Sequence, residues 1–323
     1  MKKYYSNIDY LKGILIIFVI AGHVIQGEMD KTLIRHIIYY FHMPLFIGVS
    51  GYLFNMKQLN KDFILGIKKL IIHLIIPWGA TVGLYTILLN YKELINGNLK
   101  IIIFDIIKGL IYPYYHLWYI LGYFSWIIIL YILLKINKSK SVHFIFISIF
   151  SVLIYIIYFY TNRNSKLLNV FLSDFRLYNL IFFYFGYWLK ENITNVSSKK
   201  LLLSLLGTLV SSVITFYLKN RILEILLFYV ININLIVVSI RYSVTVRQIS
   251  NNIVCKIGKY SLEIYLLHII PIFIGKYFIN LYNWKFYVVV FLLEILLIIT
   301  ILKIKNIMER YSEKISLYNR IKS

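Results

Sequence analysis

Apolar residues in this chain come in continuous runs rather than in alternation. Stretches such as Ile14–Ile20 and, interrupted only by Glu294 and Thr300, Leu292–Leu302 recur from the N-terminus to residue 304, separated by short polar segments rich in Lys and Arg. A hydrocarbon core of about 30 Å needs about 20 apolar residues per helix. A lipid-facing backbone must satisfy its own hydrogen bonds, so such runs are helices. A membrane β-barrel would instead show segments of about ten residues with alternating polarity. The pattern therefore predicts an all-α membrane protein, a bundle of about ten transmembrane helices. Their expected positions are Ile8–Gly27, Ile37–Phe54, Leu70–Asn90, Tyr115–Leu134, Phe144–Tyr160, Leu177–Leu189, Leu201–Leu218, Ile222–Ile240, Tyr260–Ile279 and Phe286–Leu302. The stretch Lys100–Ile111 is apolar on one side and too short to span, which suits an interfacial or re-entrant segment. One membrane-embedded domain over residues 1–323 is expected, with helices within roughly 8–304, a short basic tail at 305–323 and no attached soluble domain.

Composition agrees with this reading. The chain has 323 residues, 60% of them hydrophobic, where a soluble domain holds about 45–50%. The net charge of +22 invites a nucleic-acid partner, but such a protein gathers its basic residues on one soluble face. Here they lie between apolar runs, so the lipid bilayer is the expected surrounding and no nucleic acid is. With ten spans, 23 of the 35 Lys and Arg residues fall on the side of the two termini, among them Lys2, Lys3, Lys135, Lys138 and Lys140. The positive-inside rule then places both termini in the cytoplasm of a multi-pass cell-membrane protein. Lys2 and Lys3 before an apolar stretch imitate a signal peptide. No small-residue cleavage site follows Ile20, so a retained first helix is expected. The single cysteine, Cys255, excludes an intrachain disulfide. Nothing in the pattern specifies an oligomeric state.

Ionisable groups inside membrane spans are costly and mark functional positions. The first predicted helix carries Asp9, Lys12 and, after Gly22, His23. Eleven residues at 100° each bring His23 to within 20° of the Lys12 face, about 16 Å along the axis. Taken singly, His23 is as readily a packing histidine, and Lys12 a snorkelling anchor. The second helix carries His42, Pro44, Ser50 and Gly51. Its proline frees a backbone carbonyl where the backbone lines a cavity or finds a partner. Ser50 and Gly51 permit close helix approach. Lys68 and Lys69, with His73 one turn on, read either as positive-inside anchors or as a clamp for a polyanionic donor. His116 and Trp118 suit either a membrane-boundary aromatic belt or contact with a sugar or donor. Glu263 and His268 share the ninth span. The histidines show no metal-ligand spacing, so no metal is expected.

Five blocks together resemble the acyltransferase-3 family of integral membrane O-acyltransferases. They are Asp9-Tyr10-Leu11-Lys12-Gly13 through Gly22-His23; His42-Met43-Pro44-Leu45-Phe46 through Ser50-Gly51-Tyr52; His116-Leu117-Trp118-Tyr119; Phe185-Gly186-Tyr187-Trp188-Leu189; and Ser261-Leu262-Glu263-Ile264-Tyr265-Leu266-Leu267-His268. They occur in the family's order across residues 9 to 268. The resemblance implies an Arg-or-Lys, ten residues, His signature, matched by Lys12 and His23, with His23 essential for acyl transfer. It implies acetyl-CoA or another acyl-CoA as donor and a cell-envelope carbohydrate as acceptor, as in members that O-acetylate bacterial surface polysaccharide and capsule. Around Lys68–His73 the family shows Arg-rich sequence where this chain has Lys and His.

The residues and the resemblance suggest His23 as general base on the acceptor hydroxyl, with an acetyl-histidine intermediate equally compatible. Lys12, Lys68, Lys69 and His73 are the donor-phosphate candidates, with Asp9 orienting Lys12. Asp9, His42, Ser50, His116, Trp118, Glu263 and His268 are the substrate-binding candidates. His42, Ser50, Tyr265 and the backbone freed at Pro44 are the candidate oxyanion donors. A transporter or flippase of a lipid-linked sugar is the alternative class, since intramembrane charges and a broken helix serve it too. The absence of an internal repeat weighs against it.

Overall fold

The computed structural model describes residues 5–25, 27–28, 31–114, 116–136, 139–160, 175–191, 193–218, 220–249, 252–279 and 283–322, without the side chains of 159–160, 221 and 312–322. Lys2, Lys3, Tyr115 and Lys138 lie outside the described residues, as do the side chains of the tail beyond Tyr311. The described residues are helical, with no strand among them. In chain order the principal helices are α1 (Ser6–Val24), α2 (Leu33–Leu53), α3 (Phe63–Leu89), α4 (Leu99–Ile111), α5 (Trp118–Ile136), α6 (Lys140–Tyr160), α7 (Leu180–Trp188), α8 (Ser198–Leu218), α9 (Arg221–Thr245), α10 (Ile253–Lys259), α11 (Ser261–Leu267), α12 (Ile269–Phe278) and α13 (Trp284–Lys322).

Eight segments among the described residues are long and apolar enough to cross a membrane, where the sequence pattern gives about ten. The two that differ do so for separate reasons. Helix α2 has the length, 21 residues, but Arg35, His36, His42 and Ser50 lower its apolarity. Helix α7 has only nine residues, extended by single 3-10 turns at Leu177–Asn179 and Leu189–Glu191. Helix α4, with 13 residues, is too short to span, as its sequence indicates. Helix α3 begins at Phe63 rather than Leu70. Asp62 starts it by accepting a hydrogen bond from the Leu65 N–H at 2.9 Å, a standard N-cap. The chain is a multi-pass, all-helical membrane protein.

Two compact units divide the chain, residues 1–43 with 243–323 and residues 44–242. In the first, α1 packs closely on α10. A Cβ on Gly258 would strike the Asp9 carbonyl, and one on Gly13 would strike the Val254 carbonyl. Small residues are what let two backbones approach this far. Asn7 fastens the start of α1: its side chain donates to the Arg247 carbonyl at 3.1 Å and accepts from the Ile249 N–H at 2.9 Å. Cys255 is buried on the same face. The ninth predicted span is a single membrane-length segment, Ser261–Phe278, whose helix is interrupted at one residue, His268. Pro271 has no N–H for the Leu267 carbonyl, and the chain turns at His268 between α11 and α12. Helix α13, with 39 residues, reaches roughly 58 Å at 1.5 Å per residue, well past one bilayer thickness.

In the second unit, the later part of α2 packs against α7. A Cβ on Gly51 would strike the Phe183 carbonyl, and one on Gly186 the Gly48 carbonyl. Buried aromatics fill the space beside them, with Phe183 between Phe54, Tyr123 and Trp126.

Candidate active site

Helix α1 is unbroken from Ser6 to Val24, so the helical arithmetic holds along it. Lys12 donates to Asp9 at 3.1 Å, and both side chains are largely withdrawn from solvent, at 17% and 12% exposure. His23 follows on nearly the same face, about 16 Å further along the axis. The first unit thus presents an acid–base pair at one end of a helix stripe and an imidazole at the other.

Around His23 the structure gathers three residues from other parts of the chain. The His268 ring lies 5.2 Å away, centre to centre. The Tyr39 ring lies 5.9 Å away, edge-on, with its hydroxyl 3.4 Å from His23 Nδ1. His42 packs edge-on against Tyr39 at 5.0 Å. Two of these histidines have a fixed proton. His268 Nδ1 lies 2.8 Å from the Tyr265 carbonyl and His42 Nδ1 lies 2.5 Å from the Ile38 carbonyl. A carbonyl only accepts, so each Nδ1 carries the hydrogen. For His23, a basic Nε2 requires the tautomer in which Nδ1–H donates to the Tyr39 oxygen.

Glu263 forms an ion pair with Lys305 of α13 in this unit. The sequence reading singles out His42 and His268 but not Tyr39. Its signal is present: Tyr39 precedes His42 by three residues and shares its helix face. Glu294, buried in the span of α13 with neither carboxyl oxygen hydrogen-bonded, also escapes a search for named motifs.

The second unit holds the remaining candidates. Ser50 Oγ and the Tyr119 hydroxyl are 2.6 Å apart. Tyr119 packs edge-on against Phe46 and stacks on Tyr123. Tyr119 closes the His116–Tyr119 block, and its link to Ser50 is tertiary, so spacing does not reveal it. Trp118 is covered by the Arg176 guanidinium at 4.0 Å, a cation–π contact. Arg176 holds a left-handed backbone, φ 39°. His116 is buried beside Tyr85, ring centres 6.2 Å apart. Trp78 donates to the Leu117 carbonyl at 3.1 Å, fixing this segment on α3.

Lys68, Lys69 and His73 are exposed along α3. The helix there widens into a π turn over Ile71–Ile75, with the Ile76 N–H reaching the Ile71 carbonyl. Pro77 explains the widening, since it cannot donate to the His73 carbonyl. Such turns loosen a helix locally and recur at functional positions.

The acyltransferase-3 family, described as "Acyltransferase domain", matches residues 5–303. The nodulation protein NolL of Sinorhizobium fredii (strain NBRC 101917 / NGR234) is 30% identical over 128 residues, 36% of this chain and 34% of that protein. NolL of Mesorhizobium japonicum (strain LMG 29417 / CECT 9101 / MAFF 303099) is 40% identical over 78 residues, 22% of this chain and 21% of that protein. The chain thus aligns with about a third of the length of one of these curated relatives and about a fifth of the other. No solved structure matches it.

Proposed function

The chain belongs to the acyltransferase-3 family, and from that premise we propose that this membrane acyltransferase moves an acetyl group from acetyl-CoA to a hydroxyl of a cell-surface polysaccharide or its lipid-linked precursor. The observation that carries the reading is the α1 stripe, which ends in His23 beside Tyr39 and His268.

A sugar hydroxyl is a weak nucleophile unless its proton leaves during attack. Imidazole is the side chain suited to take it near neutral pH. His23 accepts the hydroxyl proton as the new C–O bond forms at the thioester carbonyl. The C–S bond then breaks, and the imidazolium returns the proton to the departing thiolate. Lys12, Lys68, Lys69 and His73 supply cationic and hydrogen-bonding contacts for the donor phosphates, and Asp9 holds Lys12 in place. The stretch of about 16 Å from Lys12 to His23 suits an extended pantetheine arm. His42 and His268 hold the surroundings of His23. Ser50, His116, Trp118 and Glu263 are the further positions for acceptor contact. The protein so read works in the cell membrane.

The test compares surface polysaccharide from cells carrying the wild type, His23→Ala or no gene, by proton NMR of O-acetyl signals, with an immunoblot for membrane-inserted protein. O-acetyl signals with the wild type alone support the proposal. Signals that persist without the gene exclude this acceptor class, and full acetylation by His23→Ala removes His23 as the base.

A further inference from the structure

Beyond α1 the chain turns through Gly27, whose φ of 113° suits glycine alone, and enters α2 at Leu33. Arg35, in the first turn of α2, reaches back and donates from Nη1 to the Gly27 carbonyl. Its guanidinium lies over the Tyr39 ring, 5.3 Å from the centroid. Tyr39 in turn places its hydroxyl 3.4 Å from His23 Nδ1. The guanidinium carbon is therefore within about 11 Å of the His23 ring centre, the upper limit set by 5.3 Å and 5.9 Å laid end to end.

Arg35 has five N–H donors. One is used on a neutral carbonyl, and Nε is buried with no hydrogen-bond partner. Among the described residues its charge likewise has no ion-pair partner. Among the described acids of this unit, Asp9, Glu28, Glu263 and Glu309 are ion-paired with Lys12, Lys31, Lys305 and Lys259. Glu294 is buried on α13 without a hydrogen-bond partner. None of these acids is ion-paired with Arg35. A half-buried guanidinium that lies over an aromatic ring and has no ion-pair partner among the described residues suits a planar or tetrahedral oxyanion. A neutral sugar hydroxyl gives it no comparable partner.

We propose that Arg35 selects acceptors that carry an anionic group, a uronic-acid carboxylate or a phosphate ester, on the acylated sugar or its neighbour. The inference rests on the reading of His23 as the site of transfer to a carbohydrate. Attack occurs at His23 while the acidic substituent docks on Arg35, with Tyr39 between the two.

The test is equilibrium binding to the full-length protein in maltoside micelles, read by tryptophan fluorescence in the absence of acetyl-CoA. The probes are methyl glucuronoside, glucose 6-phosphate, methyl glucoside and inorganic phosphate. The wild type is expected to bind one of the two charged sugars at least tenfold more tightly than methyl glucoside. The favoured probe separates carboxylate from phosphate recognition. Arg35→Gln is expected to lose that preference, and Arg35→Lys to keep part of it, because a lysine lacks the bidentate fork. Both variants should retain acetyl-CoA binding and a monodisperse elution profile, which rules out misfolding. Equal wild-type affinity for charged and neutral glycosides overturns the proposal, as does an undiminished preference in Arg35→Gln. Inorganic phosphate binding as tightly as the sugars overturns it as well, since an adventitious or lipid-phosphate site would behave so. His23→Ala should keep the charge preference. Loss of transfer with preserved preference supports both readings, and a fully active His23→Ala with preserved preference defeats only the catalytic one.

Discussion

The His23 and His268 rings lie 5.2 Å apart and are tilted by 52° to one another. His268 is fully buried, its Nδ1 proton directed at the Tyr265 carbonyl at 2.8 Å. It sits where α11 passes into α12, at the interruption that follows from Pro271 having no N–H for the Leu267 carbonyl. The partner of His23 is thus a ring fixed by backbone geometry rather than a mobile side chain, and it limits where the His23 imidazole can go. His268→Ala opens that space. Misplacing a reacting group by about 1 Å costs on the order of 10²-fold in rate, so kcat should fall by about that factor with little change in KM for acetyl-CoA. His268→Phe, which retains the packing, should recover part of the loss. Steady-state kinetics on purified protein separate the two, and full activity in His268→Ala would mean that the pair is incidental.

Lys12 and Asp9 are 3.1 Å apart and mostly withdrawn from solvent. Lys12→Met removes a contact expected to bind the donor phosphates equally in the ground and transition states. KM for acetyl-CoA should therefore rise about tenfold or more while kcat changes less. The same change strands the Asp9 carboxylate, and breaking a buried pair on one side is costly. Asp9→Asn with Lys12→Met should therefore restore thermal stability without restoring KM. If the single variant leaves KM unchanged, Lys12 serves the fold rather than the donor.

The close approach of α1 and α10 gives a sharper stability test. A methyl group on Gly258 would overlap the Asp9 carbonyl, whereas one on Gly83 of α3 meets nothing within 4 Å. Gly258→Ala should destabilise by about 1–3 kcal/mol or more, the usual range for overpacking. Gly83→Ala should be neutral or stabilising by up to about 1 kcal/mol, because it removes backbone freedom from the unfolded chain. Thermal unfolding in detergent reports both, and equal behaviour of the two variants would contradict the packing described.

The Lys12–His23 stripe is legible in the sequence because helical periodicity is local, and α1 carries no break. The meeting of His23 with Tyr39 and His268 is not, because the three come from distant parts of the chain and no spacing rule joins them. Two boundaries were readable and easily passed over. Asp62 is an N-cap signal that outranks the lysines at 68 and 69 as the start of α3, since long lysine stems can reach water from within a span. Pro271 marks the division of α11 from α12. The short α7 misleads for the opposite reason, since its mean hydrophobic character is that of a span while its length of nine residues is not.

At the α10–α11 turn, Lys259 Nζ and the Tyr260 hydroxyl both lie 2.6 Å from Glu309 Oε1. The hydrogen bond to Glu309 raises the Lys259 pKa above its ordinary value, against a smaller opposing effect of burial. A raised lysine pKa contributes stability that is fully present below the unfolded-state value of about 10.4 and is lost as pH climbs through the higher folded value. Lys259 is 49% exposed, so the contribution should stay within about 0–1 kcal/mol. Wild type and Lys259→Met should therefore differ by no more than a few degrees in apparent Tm at neutral pH. The gap should close as pH climbs past the raised folded-state value and shrink in high salt. A gap that persists in alkali would assign the difference to lost packing of the lysine stem.

Glu294 offers the strongest contrast between cost and apparent need. It is buried on the face of α13 that also carries Val290 and Phe286, one and two turns away, which pack on Gly275 of α12. Neither carboxyl oxygen has a hydrogen-bond partner. Leaving a buried polar group unsatisfied costs about 1–3 kcal/mol, and an ionisable group at membrane depth is retained chiefly where it works. Glu294→Leu should therefore raise the apparent Tm by several degrees, and Glu294→Gln should raise it much less, because an amide still needs partners there. The activity of the stabilised variant then decides what the cost serves. Acetyl transfer that falls while Tm rises marks a residue retained for function at the expense of stability. Unchanged transfer with a raised Tm would make Glu294 a tolerated burden of the helix packing. A lowered Tm in Glu294→Leu would show that the carboxyl finds a stabilising partner in the folded protein and would refute its description as unsatisfied.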